Sequence, residues 1–116
     1  MNWKETRKVE IEKLIEEICK KFSIKKEDLL SKSRKRTLVV ARRYFMNIIF
    51  EVFESDVMTH ADIAECINLD RTSFIHHRKQ HQNNQTSYKK DKQEYDKFKK
   101  DYTAIISCHE IVKNLR

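Results

Sequence analysis

The 116-residue chain contains neither glycine nor proline. Average usage would place about 8 Gly and about 6 Pro in a chain of this length. Glycine supplies the left-handed backbone of many tight turns and hairpins, so strands in this chain would lack their usual connections. The composition therefore predicts an all-α protein.

Length and charge predict a single small domain over residues 1–116. The chain is 39% hydrophobic, and its 25 Lys and Arg exceed its 18 Asp and Glu to give a net charge of +7. A chain of this length buries roughly 60 to 70% of its unfolded surface, so it can form a core without a metal or a disulfide. The excess of positive charge favours a polyanionic partner.

Several classes of protein are disfavoured by what the sequence lacks. Walker and dinucleotide-binding loops require glycine, so neither can be built here. Three widely spaced cysteines, Cys19, Cys66 and Cys108, suit buried reduced thiols better than a disulfide framework. No apolar run approaches the roughly 18 residues of a membrane span, and the charged first residues show no apolar core, so we expect neither membrane insertion nor secretion. We expect a cytoplasmic protein with no cofactor and no small-molecule substrate.

No catalytic or metal site is predicted. Neither paired carboxylates nor a nucleophile with its base stand out, so we do not expect an enzyme. His77 and His81 share a helical face, but no Cys-x-x-Cys and no carboxylate at matching spacing accompany them. A packed His76, or imidazoles near phosphate, explains the histidines more simply.

Charge is concentrated in blocks along the chain. Residues 31–43 contain six basic residues and no acid, whereas residues 44–70 contain six acids and no Lys or Arg. The basic residues are Lys32, Arg34, Lys35, Arg36, Arg42 and Arg43. We interpret them as phosphate contacts, with one Arg available for the narrow minor groove; the alternative is a solvated basic loop.

Apolar residues recur at helical spacing in several segments. Ile11, Leu14, Ile15, Ile18 and Phe22 predict a first helix, and Ile24–Leu30 a short second one. A central core helix is predicted over residues 37–54, and Gln82–Ser87 is expected to be a connection. A long C-terminal helix follows over residues 88–114, with an apolar stripe of Tyr88, Tyr95, Phe98, Tyr102, Ile105, Ile106 and Val112.

Residues 59–81 predict a helix-turn-helix. Thr59 and Asp62 have capping-box spacing at the start of one helix. Asn68 and Leu69 make the turn, and Asp70 can cap the second helix. Phe74 and Ile75 are expected to anchor that second helix to the core.

The second helix opens with side chains that can read bases. The N-terminal residues of a recognition helix meet base edges in the major groove. Arg can bond guanine, Thr and Ser can contact a thymine methyl, and Asp can accept from cytosine. The predicted DNA-binding set therefore adds Asp70, Arg71, Thr72, Ser73, Arg78 and Lys79. The alternative is that Asp70, Thr72 and Ser73 only cap the helix while Arg71 is solvated.

These motifs together resemble the C-terminal DNA-binding domain of the bacterial replication initiator DnaA. The likeness covers residues 11–82 and rests on Ile24, Asp28–Lys32, the basic run, Val40–Arg42, Met46, Ile63 and Asp70–His76. The resemblance implies a six-helix domain of the Trp-repressor helix-turn-helix type, which binds a short duplex called the DnaA box. It also implies a bacterial or phage-encoded protein.

The resemblance assigns roles and also exposes departures. The family's Asp-His-Thr-Thr motif corresponds to Asp70–Ser73, the minor-groove arginine to Arg34, and a backbone-contacting arginine to Arg42. The family's Gly-Gly-Arg before the Asp is replaced by Asn68 and Leu69, one residue shorter. Because Arg stands at 71 and Ser at 73, a different sequence preference is expected.

We therefore predict a sequence-specific double-stranded DNA-binding protein without ATPase activity, acting in replication or in transcriptional regulation. It is expected to be a monomer, with self-association through the C-terminal helix as a further possibility. The alternative is a helical interaction module in which the basic residues meet an acidic partner protein and the stripe of residues 88–112 mediates assembly.

Overall fold

A computed structural model describes residues 7–53 and 59–114, apart from the side chains of residues 85, 87 and 108–114. The described chain forms six helices and no strand, which confirms the predicted all-α class. They are α1 (Lys8–Phe22), α2 (Lys26–Leu29), α3 (Arg36–Val52), α4 (His60–Glu65), α5 (Arg71–Ser87) and α6 (Lys89–Asn114). The predictions for Glu54 and for the side chains of Cys108 and Val112 fall outside the described part.

Helix α3 is the centre of the core, as its apolar pattern predicted. Ala41, Phe45, Ile48 and Ile49 are fully buried on it. Helix α1 packs against α3 through its buried stripe, which includes Leu14 and Ile18 at 0% exposure. Packing between these two helices removes apolar side chains from water, which is the dominant favourable contribution to folding.

Two turns that would ordinarily use glycine are made by polar residues instead. Ser23 ends α1 in the left-handed region at φ 54°, and the Ile24 N–H donates to the Cys19 carbonyl at 3.1 Å. Asn68 adopts φ 61° after α4, where the Leu69 N–H donates to the Ala64 carbonyl at 2.9 Å. Asparagine tolerates the left-handed region better than most residues, so the turn forms without glycine.

Both helices of the helix-turn-helix begin at the predicted caps. The Thr59 hydroxyl accepts from the Asp62 N–H at 3.1 Å, and the Asp62 carboxylate accepts from the Thr59 N–H at 3.0 Å. Asp70 caps α5 by accepting from the Ser73 N–H at 2.9 Å. Each carboxylate also lies near the positive end of a helix dipole.

The predicted connection over Gln82–Ser87 is wrong, because these residues are the last turns of α5. The segment contains no helix breaker, and the Thr86 hydroxyl donates to the Gln82 carbonyl at 2.8 Å within the helix. Tyr88 alone, at φ −128° and ψ 97°, separates α5 from α6. The two helices therefore join through a single extended residue.

Three residues of the α6 apolar stripe are buried in the protein's own core. Tyr95, Tyr102 and Ile106 are 2%, 1% and 7% exposed. The Tyr102 hydroxyl donates to the Glu10 carbonyl of α1 at 2.7 Å, and burial raises the pKa of that phenol. These three side chains are consequently not free to mediate self-association.

The thiols of Cys19 and Cys66 are half-buried rather than fully buried as predicted. Burial raises the pKa of Cys19 above its ordinary value, so the protonated thiol is favoured at neutral pH. None of the described helices is both long enough and apolar enough to cross a bilayer.

Candidate nucleic-acid interface

Residues 30–35 form an exposed connection between α2 and α3, here called the basic loop. An arginine of α3, Arg42, holds it in place from inside. Its guanidinium donates to four backbone carbonyls of α2 and the loop at 2.5 to 3.1 Å, those of Asp28, Leu29, Ser31 and Ser33. Charged donors make the stronger class of hydrogen bond, so one side chain fixes the loop's course.

The DNA contact expected of Arg42 stays a prediction, and the structure gives this side chain a role inside the domain. Arg42 is only 4% exposed, and the loop carbonyls occupy its donors. An arginine in this position shapes the loop that presents other basic residues. The sequence alone could not predict this structural role of Arg42. A charged side chain is buried only where hydrogen-bond partners surround it, and the tertiary fold brings those partners together.

The basic loop is bonded directly to the turn of the helix-turn-helix. The Lys32 Nζ donates to the Asn68 carbonyl at 2.8 Å, and the Asn68 Nδ2 donates to the Leu30 carbonyl at 3.3 Å. Asn68 thus provides both the turn conformation and the link to the loop. These bonds place the loop and the start of α5 on one face of the molecule.

A groove of about 760 Å³ lies between the basic loop and α5. Its walls include Lys32 and Arg34 on the loop side, with Asp70, Ser73 and His76 on the α5 side. Of the exposed residues in the predicted set, Lys32, Arg34 and Asp70 line this groove. The other exposed members of the set are Lys35, Arg36, Arg71, Thr72 and Lys79. Ser73 is half-buried at the groove wall.

Asp70 contributes negative charge to an otherwise basic groove wall. Hydrogen bonds from Ser73 and the positive charge of Lys32 lower the pKa of its carboxyl. The carboxylate is therefore ionised at neutral pH. One of its oxygens caps the helix, and a carboxylate has lone pairs for a further donor.

The DNA contact expected of Arg78 also stays a prediction, and the structure bonds this side chain within the protein. Its Nη1 donates to the Asn47 Oδ1 at 2.9 Å and to the Glu51 Oε2 at 3.1 Å. Its guanidinium also lies 4.7 Å from the centre of the Phe50 ring. Arg78 therefore ties α5 to α3.

Glu51 joins three helices in a cluster that the sequence did not reveal. It accepts from Arg78 of α5 and from the Tyr95 hydroxyl of α6, and the Lys99 Nζ of α6 lies 3.3 Å from it. Burial opposes its ionisation, but these hydrogen bonds and the nearby positive charges outweigh burial and lower its pKa. An acid in an apolar helix was the available signal, but its partners are 27 to 48 residues away along the chain.

The inner side of α5 carries histidines rather than the predicted Ile75 and His76. Phe74, His77 and His81 are 2%, 8% and 5% exposed, whereas His76 is exposed and Ile75 is 46% exposed. The His81 ring lies 4.2 Å from the Tyr95 ring between their centres.

Burial is the main reason that the pKa values of His77 and His81 both fall to about 4. The nearby Arg43 adds to the effect on both rings. Both histidines are therefore neutral core residues at physiological pH. Within the described residues, no group of three or more His, Cys, Asp or Glu side chains is placed to hold a metal ion.

Comparison with known proteins gives one family match. Residues 11–80 match the family described as the bacterial DnaA protein helix-turn-helix. This range contains the basic loop and the first ten residues of α5, so it covers the whole of the groove described above. Neither the curated proteins nor the solved structures contain a match to the chain.

Proposed function

Since the chain belongs to the family of bacterial DnaA helix-turn-helix domains, we propose that it is a sequence-specific double-stranded DNA-binding protein. We propose further that it acts as a replication-associated or transcriptional regulator by binding alone, without ATP hydrolysis. The observation that carries the proposal is the common groove of the basic loop and the start of α5.

In the proposed complex the start of α5 enters the major groove. Arg71 and Thr72 are exposed in its first turn, where helix-turn-helix proteins meet base edges. Arg71 would donate to guanine acceptors, and Thr72 and Ser73 would bond a base edge or contact a thymine methyl. Asp70 would accept from a cytosine amino group while it caps the helix.

The basic loop supplies the second contact. Arg34 is exposed beside the recognition helix and would enter the adjacent minor groove, whose narrow A-tract form attracts arginine. Lys32 and Lys35 of the loop, with Arg36 at the start of α3, would contact phosphates beside the site. Lys79 would contact phosphates from a position two turns into α5. Phosphate contacts fix the register of a protein on duplex DNA, and base contacts determine which sequence is bound.

The preferred sequence should differ from the usual DnaA box. Arg71 stands where the family has His, and Ser73 stands where it has Thr. A guanidinium presents a bidentate pair of donors that an imidazole cannot, so the base opposite Arg71 should be guanine. The binding unit is proposed to be a monomer, since Tyr95, Tyr102 and Ile106 of the α6 stripe are buried in the protein's own core.

Selection from a pool of random duplexes tests the proposal. A sequence-specific binder enriches one short motif, whereas a module for an acidic protein partner enriches none. Bulk binding without any enriched motif would refute the proposed function. The selection should be made at a stated, near-physiological salt concentration, because non-specific binding dominates at low salt.

Two arginine variants test the division of roles. Arg71→Ala should relax the preference at about one base position, at a cost of about 1 to 3 kcal/mol for the best sequence. Arg36→Ala should weaken binding to all duplexes alike and lower the salt slope by about one unit. If both variants change preference and salt slope in the same way, base and phosphate contacts have been assigned wrongly.

A further inference from the structure

Ile75 lies on the outer surface of the recognition helix although it is strongly apolar. Its side chain is 46% exposed, whereas the adjacent Phe74 is 2% exposed. Within the described part of α5, Ile75 is the one large apolar side chain in the exposed class. Ile75 does not belong to the buried face of the helix, which is formed by Phe74, His77 and His81.

The neighbours of Ile75 are the residues proposed to read bases. Arg71 precedes it by four positions, Thr72 precedes it by three, and Lys79 follows by four. Residues at these spacings are surface neighbours on a helix, with Cβ atoms about 5 to 6 Å apart. A helical side chain also covers the turn N-terminal to its own Cα, so the Ile75 methyls lie over the turn that holds Arg71 and Thr72.

A docked α5 would press this apolar group against base edges. The thymine C5 methyl is the apolar group that the major groove displays. Opposite a polar base edge, Ile75 would strip water from donors or acceptors without replacing their hydrogen bonds. Opposite a thymine, two apolar surfaces leave water together.

We propose that Ile75 is a specificity-determining residue that recognises the C5 methyl of a thymine next to the base contacted by Arg71. This inference rests on the proposed function, because it requires α5 to occupy the major groove. It predicts a thymine adjoining the guanine in the preferred sequence. It also gives an exposed isoleucine a role that packing does not provide.

Removal of single methyl groups from the DNA tests the inference with the wild-type protein. Each thymine of the preferred duplex is replaced in turn by uracil, which lacks only the C5 methyl, and the dissociation constant is measured. One replacement, next to the guanine, should weaken binding about fourfold, the equivalent of one buried methyl group. If every replacement near that guanine is neutral, the inference fails while the selected motif still supports the proposed function.

Variants of Ile75 identify the protein side of the contact. Ile75→Ala should weaken binding to the thymine-containing preferred duplex about fourfold or more. The dissociation constant of this variant should not change when uracil replaces that thymine. Ile75→Val, which keeps a branched apolar surface, should remain sensitive to uracil. Val9→Ala is the control, because it shortens an apolar side chain of α1 with a similar exposed fraction, 52%. It should change neither the affinity for the preferred duplex nor the sensitivity to uracil.

Two further results would overturn the role proposed for Ile75. If Ile75→Ala stays as sensitive to uracil as the wild-type protein, another side chain contacts the methyl and the inference is overturned. If selection yields no preferred duplex at all, the proposed function and this inference fail together.

Discussion

At the scale of single residues, the structure divides the arginines into two kinds. Arg34, Arg36 and Arg71 are exposed to solvent, whereas Arg42 and Arg78 are bonded to the protein itself. The bonded arginines hold the loop and α5 in place, and these two elements carry Arg34 and Arg71. A basic residue near a DNA-binding surface is therefore not necessarily a DNA contact.

Arg42→Gln should lower the free energy of unfolding by about 2 to 4 kcal/mol, because partly buried loop carbonyls lose a charged donor. DNA affinity should fall with it, since the loop loses its internal support. Chemical denaturation at pH 7 measures the first effect. Arg34→Gln is the matched control, because its exposed side chain should affect DNA affinity without changing stability; equal stability of the two variants would contradict the assigned roles.

Asn68 combines a backbone role and a side-chain role in the turn. Asn68→Ala should cost about 1 to 2 kcal/mol, because alanine disfavours the left-handed region and cannot donate to the Leu30 carbonyl. Asn68→Gly should cost less, since glycine accepts φ 61° and loses only the side-chain bond. Thermal unfolding ranks the two variants, and a larger loss for glycine than for alanine would contradict this explanation.

At the scale of elements, α5 shows which sequence signals are decisive. Its first residue was predictable, because Asp70 is a local cap that needs no distant partner. The rotation of α5 about its own axis could not be predicted. Phe74 and Ile75 are adjacent apolar residues that lie about 100° apart around the helix, so either could face the core. Only packing against Phe50 and His60 decides that Phe74 faces inward.

The inward histidines of α5 predict a dependence of stability on acid. The pKa values of His77 and His81 are about 4 in the folded protein against an ordinary 6.5, so between these values the unfolded state binds more protons. Their contribution to stability is present above pH 6.5 and is lost as the pH falls towards 4. Each histidine should contribute a slope of about 1.4 kcal/mol per pH unit within this window.

Urea denaturation at pH 7.0, 6.0 and 5.0 measures this slope. His81→Phe, which keeps a ring against Tyr95, should reduce the slope by about half. Gln82→Ala is the matched control and should leave the slope unchanged, because Gln82 is an exposed residue of α5 without a titratable group. A wild-type stability that stays level from pH 7.0 to 5.0 would show that the two rings are not buried in the neutral form.

At the scale of the whole molecule, α6 supports the recognition helix. Tyr95 and Lys99 of α6 meet Arg78 of α5 at Glu51 of α3, so three helices share one partly buried carboxylate. The sequence predicted α6 as a long helix because its apolar residues are periodic. The cluster itself could not be predicted, since polar contacts between distant residues leave no periodic pattern.

Glu51→Ala should lower the free energy of unfolding by about 3 kcal/mol, since the buried Tyr95 hydroxyl loses its acceptor and Arg78 keeps only the Asn47 Oδ1. Because Glu51 has a lowered pKa, its contribution is present above pH 4.5 and is lost as the pH falls below that value. Glu16→Ala, which removes a carboxylate paired with Lys13 and Lys20 on the surface of α1, should cause no measurable change. Equal effects of the two variants would contradict a structural role for the cluster.

The central claim is that one face of the molecule, made by the basic loop and the outer side of α5, receives duplex DNA. Backbone amide shifts, followed by NMR while the selected duplex is added to the full chain, test it most directly. The largest changes should fall in residues 31–36 and 70–79, with α1 and the second half of α6 little affected. Changes centred on α1 or α6, with the loop and the start of α5 unmoved, would contradict the account.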